Sequence, residues 1–154
     1  MAKTTDFLSL DDEKALMESI RTAEKHTTGE IRVHIEMKCP GDPLVKAKEM
    51  FGKLGMHRTE QRNGILLYVA FNDRKAAIFG DEGIAAHVDQ SFWDSELQTL
   101  FTHFRDGNYL IGMQLVVLDI SSKLSRYFPT SGFHENQNPD ELSNEISRGS
   151  EDSK

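Results

Sequence analysis

The run GILLYVAF at positions 64–71 limits what this chain can fold into more than any other segment. It is apolar on both of the faces that a strand presents in alternation. A strand with one wet face alternates apolar with polar residues, whereas one that is apolar throughout needs cover on both sides. The run therefore reads as a central strand between two layers. Its neighbour upstream, EIRVHIEM at 30–37, does alternate: Ile31, Val33, Ile35 and Met37 interleave with Arg32, His34 and Glu36. That pattern gives a strand with one wetter face.

The residues between these two strands supply a helix. Asp42 is placed to cap it, Pro43 suits its first turn, and Gly55 ends it. Val45, Phe51 and Leu54 are expected on or near its inner face. A connection of this length makes the two strands parallel, with a right-handed crossover. After GILLYVAF, the sequence NDRK is a hairpin turn and AAIFG returns antiparallel. Three further helices are expected, over 9–27, 94–105 and 109–127. Ser9, Asp94 and Asn108 are their candidate caps, and Pro129 follows the last turn. A strand–helix–strand unit, then a hairpin, then helices makes a layered α/β domain.

One domain suits 154 residues. Residues 1–129 are assigned to it and 130–154 to a flexible acidic tail. Residues 129–154 carry six acids and two bases, so much of the formal charge of −7 belongs to the tail. The acidic balance argues against a nucleic-acid binder and agrees with a protein that attracts cations. No run approaches the roughly 20 apolar residues of a membrane span, and the first residues lack a signal-peptide core. A cytoplasmic monomer is the expectation. Cys39 is the lone cysteine, which excludes an internal disulfide and a cysteine-rich zinc motif. The six histidines show no HExxH spacing, and no GxSxG, Walker loop or dinucleotide fingerprint is present.

The segment GDEG at 80–83 closes the third strand and sets two carboxylates, Asp81 and Glu82, between glycines. With two strands running one way and the third returning, Glu30, the Arg62-Asn63-Gly64 entry and Asp81-Glu82 fall on the same edge of the sheet. Calcium and magnesium take carboxylate, amide and carbonyl oxygens, so Asp81, Glu82, Glu30 and Asn63 are candidate ligands. Arg62 has the planar fork that holds a phosphate, and with Asp81 it is a candidate catalytic residue for cation-assisted phosphomonoester hydrolysis. Two blander roles compete. Asp81 caps the turn EGIAAHV, and Arg62 pairs with Glu30 or Glu60. Trp93 is expected to pack beneath this loop. Asn72, Asp73 and Arg74, at the opposite end, read as turn chemistry.

These residues fall within a longer pattern. AEKHTTGEIRVHI, LGMHRTEQRNGILLYVAFNDRKAAIFGDEGI, FWD and the closing FP…DELSNEIS together resemble the TPM domain family over most of residues 7–147. That family includes thylakoid-lumen acid-phosphatase-like proteins of the photosystem II repair cycle and many small bacterial proteins. The resemblance implies a three-layer α/β/α sandwich with a short mixed sheet of about four strands and about four flanking helices. The fourth strand has no visible signal and is expected as a short edge segment. The resemblance also implies divalent-cation binding, calcium above all with magnesium possible, and weak phosphatase activity. Its recurring polar positions fall on Glu30, Arg62, Asn63 and Asp81. The expected partners are a divalent cation and a phosphate-containing small molecule. The alternative is a non-enzymatic module that binds a protein partner under cation control.

Overall fold

Helix α1, Leu10–Glu24, starts where Ser9 accepts a hydrogen bond from the Asp12 N–H, with Asp11, Asp12 and Glu13 in its first turn. Its buried stripe of Leu16, Ile20 and Ala23 faces the sheet layer. The computed structural model describes residues 7–130 and 146–149. Strand β1 (Glu30–Glu36) leads through helix α2 (Pro43–Lys53) and a 3-10 turn (Met56–Arg58) to β2 (Gly64–Ala70). Strand β3 (Lys75–Gly80) returns antiparallel. A single-turn helix α3 (Glu82–Ala85) and the long helices α4 (Gln90–Arg105) and α5 (Tyr109–Tyr127) follow.

The sheet order is β3-β2-β1-β4, with β1 and β2 parallel and Glu30 opposite Gly64. Every residue of β2 is buried, as its two-faced apolar sequence requires. On one face Ile31, Val33, Ile35, Ile65, Leu67 and Val69 meet the packed helices α1, α4 and α5. On the other, Tyr68, Ala70 and Ala77 meet Ala47 of α2, and Leu66 meets Phe51. The result is the three-layer sandwich with a four-stranded mixed sheet.

The fourth strand is Ser147–Arg148, paired parallel to β1 at His34 and Ile35. It comes from the segment assigned to the tail. Ile146 is buried in the main core, and the Gly149 N–H donates to the Ile35 carbonyl at 2.6 Å. Arg148 pairs with Glu13 at 3.1 Å and ties this edge to α1. The rest of the expected flexible tail lies outside the described residues.

Two local expectations are corrected. Helix α4 begins at Gln90, with Asp89 in the extended conformation before it, rather than at residue 94. Asp94 lies inside the helix and accepts from the Gln90 side chain at 3.0 Å. Starting four residues earlier lets Trp93 join the buried stripe with Glu96 and Leu100. In α2 the inner positions are Ala47 and Phe51, and Val45 is exposed. Asp42 does cap α2, accepting from the Leu44 N–H at 2.8 Å.

Candidate functional site

The register fixes where the predicted residues lie. Glu30 starts β1 opposite Gly64, and its N–H donates to the Asn63 carbonyl at 3.3 Å. The Asp81 N–H donates to the Gly64 carbonyl at 3.0 Å, directly past the Ile65–Gly80 pair. Glu30, Asn63 and Asp81 therefore share one rim of the sheet. All three are buried, whereas Glu82 is exposed.

The link between these segments is an ion pair. Arg62 donates from Nε to Asp81 Oδ2 at 2.8 Å and from Nη2 to Asp81 Oδ1 at 3.0 Å. This is the two-pronged geometry in which guanidinium and carboxylate bind best. The Arg62 Nη1 also lies 3.4 Å from Glu82 Oε1. The hydrogen bond to Asp81 raises the Arg62 pKa further above its ordinary value, so the guanidinium stays charged. Arg62 thus pairs with Asp81 and Glu82, where the sequence had offered Glu30 or Glu60. Both groups already sat on the predicted rim with opposite charge, and that was the available signal.

Asp81 also acts as the N-cap of α3, accepting from the Glu82 N–H at 2.8 Å. The second glycine of GDEG has a steric reason. A Cβ at Gly83 would lie against the Gln61 carbonyl oxygen and 2.6 Å from that of Arg62. The Gly83 N–H donates to the same Arg62 oxygen at 2.9 Å. At Gly80 a Cβ would meet Ile84 Cγ2 at 2.9 Å and the Trp93 ring at 3.4 Å. Trp93 therefore packs under the loop, as expected.

Asn63 donates from Nδ2 to Thr28 Oγ1 and to Gln61 Oε1, each at 3.2 Å. Its Oδ1 is buried and, among the described residues, has no hydrogen-bond partner. A buried acceptor left in that state costs stability unless water or an ion meets it.

These contacts bear on whether the rim suits a divalent cation. The donor set is chemically right, since it consists of hard oxygens. The Asp81 carboxylate is already held on both oxygens, however, and among the described residues no three His, Cys, Asp or Glu side chains are grouped to hold a metal. The residues fit a cation that keeps much of its water and is held by one or two carboxylates, once the guanidinium turns away. They do not fit an all-protein cage.

A model of the TPM domain, labelled as TPM phosphatase, matches residues 1–123. The chain belongs to the TPM domain family. Among solved structures, the TPM domain is similar to the BA42 protein of the psychrophilic bacterium Bizionia argentinensis. The two are 38% identical with a TM-score of 0.84, over 97% of this chain and 100% of that one. It also shares its fold with the N-terminal domain of a Corynebacterium glutamicum protein, at 14% identity, TM-score 0.60, and 76% and 74% of the two chains. A third likeness is the N-terminal domain of a P. gingivalis protein, at 18% identity, TM-score 0.65 and 79% of each chain. No curated protein matches the sequence.

A second polar cluster of this TPM domain went unread in the sequence. His34 Nδ1 lies 2.8 Å from Ser147 Oγ, and His34 Nε2 lies 3.7 Å from Glu36 Oε2. The imidazole stacks on Tyr68 with centroids 5.9 Å apart. Burial lowers the His34 pKa, opposed by Glu36 and reinforced by Lys46 and Arg32. Burial also raises the Tyr68 pKa, helped by the nearby Glu36 and Cys39. No sequence spacing pairs positions 34 and 147; only the docking of β4 does. Cys39 is a buried thiol, and Asp73 is confirmed as a turn residue by accepting from the Cys39 N–H at 2.7 Å.

Proposed function

We propose that the rim of this TPM domain binds a divalent cation, calcium or magnesium, at Asp81 and Glu82, with Asn63 and Glu30 behind them. The observation that carries the reading is the Arg62–Asp81 pair. A guanidinium that is 41% exposed and held by side-chain contacts alone can leave, and a cation can then take its place on the carboxylates. The buried Asn63 Oδ1, unmet among the described residues, is a further hard acceptor on the same rim. Two features weaken the affinity. Arg62 competes for both carboxylates, and Asp81 already accepts from the Glu82 N–H at the start of α3. Millimolar binding is the expectation.

A released Arg62 also has a role in the phosphatase reading that the family label carries. It supplies a free fork for a phosphate next to a metal that polarises the ester. Titrating calcium and magnesium while following amide shifts and melting temperature tests the binding. Asp81→Asn should abolish the response, and Arg62→Gln should strengthen it by removing the competitor. An unchanged response in Asp81→Asn removes the rim from cation binding. Assay of a generic phosphomonoester with the same variants separates hydrolysis from binding: cation binding without turnover leaves a non-enzymatic module, and turnover that survives Asp81→Asn lies elsewhere.

A further inference from the structure

The opposite end of the sheet has no part in that reading. There β1 and β2 present their carboxyl ends, where open α/β sheets receive ligands. A cavity of about 510 Å³ opens at this end, against the layer of α4 and α5. Its size falls in the range of roughly 300–1,000 Å³ that suits small molecules. Phe71, Phe101, Phe104 and Tyr109 form its aromatic part. Their rings are fixed by edge-to-face contacts, Phe71 to Tyr109 at 5.4 Å and Phe104 to Tyr109 at 5.3 Å.

The charged part is Arg74, Lys75 and Arg105. Among the described residues neither guanidinium is in an ion pair. Arg105 donates only weakly, from Nη2 to Thr102 Oγ1 at 3.4 Å. The nearest acid in the hairpin, Asp73, is turned to the Cys39 N–H, and Lys75 is turned to the carbonyls of Cys39 and Gly41. Both keep their charge: Lys75, which also lines the cavity, adds to the two arginines, and Asp73 opposes them. Arg74 sits at φ 55°, a conformation that glycine or asparagine adopts more readily. On a chain of formal charge −7, two unpaired guanidinia beside an aromatic cavity are a local reversal of sign.

We propose that this cleft binds a small organic anion with a flat apolar body, an aryl phosphate or aryl carboxylate. Its ring lies against the aromatic residues and its anionic head is held by Arg74 and Arg105. Guanidinium matches both head groups with paired N–H donors. The site is separate from the rim, so either can fail without the other.

The test is a titration of the full chain with phenyl phosphate, benzoate, benzyl alcohol and inorganic phosphate, followed by amide shifts. Phenyl phosphate or benzoate should shift residues 69–75 and 101–109 saturably, and which of them binds more tightly identifies the head group. Arg74→Gln and Arg105→Gln should each weaken that binding about tenfold, the equivalent of one charge-assisted contact. Melting temperatures close to the parent's show that these variants fold. Asp81→Asn should leave the binding unchanged. Equal binding of benzyl alcohol overturns the anionic part, and equal binding of inorganic phosphate overturns the aromatic part. Shifts confined to the Arg62 rim, or no saturable shift with either aryl anion, overturn the site.

Discussion

Replacing Gly83 by alanine tests the construction of the rim. The added methyl would stand 2.6 Å from the Arg62 carbonyl oxygen and still closer to that of Gln61, where real Cβ contacts do not fall below 3.0 Å. Both obstacles are backbone, so no rotamer change relieves them. Overpacking of this kind costs about 1–3 kcal/mol. Moving the two segments apart also stretches the Gly83 N–H to Arg62 hydrogen bond, a loss of about 1 kcal/mol. Against this stands the helical preference of alanine over glycine, at most about 1 kcal/mol. The net expectation is about 2 kcal/mol of destabilisation. For a chain of this size that lowers the melting temperature by about 4–8 °C. Gly52→Ala is the internal control, because Gly52 lies in α2 with nothing within 4 Å of a new Cβ. It should raise the melting temperature by about 1–4 °C through the same helical preference. Melting followed by circular dichroism on both variants decides the matter. If Gly83→Ala melts at or above the parent while Gly52→Ala rises, the 61–62 carbonyls do not approach α3 and the account of GDEG is wrong.

Other outcomes follow from single contacts. A double-mutant cycle on Arg62→Gln and Asp81→Asn, read by urea denaturation, should give a favourable coupling that shrinks with added salt; zero coupling at low salt would refute the pair. Burial, with Asp119 adding to it, pushes Glu96 up to about 8. Between an ordinary 4.5 and about 8 the unfolded chain has released this proton and the folded one keeps it, so stability falls as pH rises through that window. Glu96→Gln should remove the fall, leaving the variant more stable than the parent above pH 8 and nearly equal below 4.5; parallel pH–stability curves would refute it. The lowered pKa of His34 works in the other direction. Its contribution is full above the ordinary 6.5 and is lost as pH falls below it. Amide protection at Gly149 should therefore drop on acidification, and pH-independent protection would contradict a β4 edge held by the His34–Ser147 contact.

The elements with their own periodicity were legible in the sequence. GILLYVAF needs two layers and has them, and α5 runs over Tyr109–Tyr127 as its apolar spacing indicated. The start of α4 was misplaced because Asp89 and Asp94 are both plausible caps, and the choice depends on Trp93 finding room beside Gly80. Strand β4 was illegible because two residues carry no alternation; tertiary contacts with Ile35 and His34 create it. The rim could be assembled from topology alone, since strand direction determines which ends meet. The partner of Arg62 could not, because choosing among Glu30, Glu60, Asp81 and Glu82 depends on distances of a few ångströms.

The order of synthesis gives β4 a further meaning. The match to the domain family ends at residue 123, yet the edge of the sheet is covered by Ser147–Arg148, made more than 20 residues later. Until those residues leave the ribosome, one side of β1 has no strand beside it and offers a template to other chains. An expression boundary drawn at residue 130, past the end of α5, would make that nascent state permanent, so a domain truncated there should aggregate where the full chain does not.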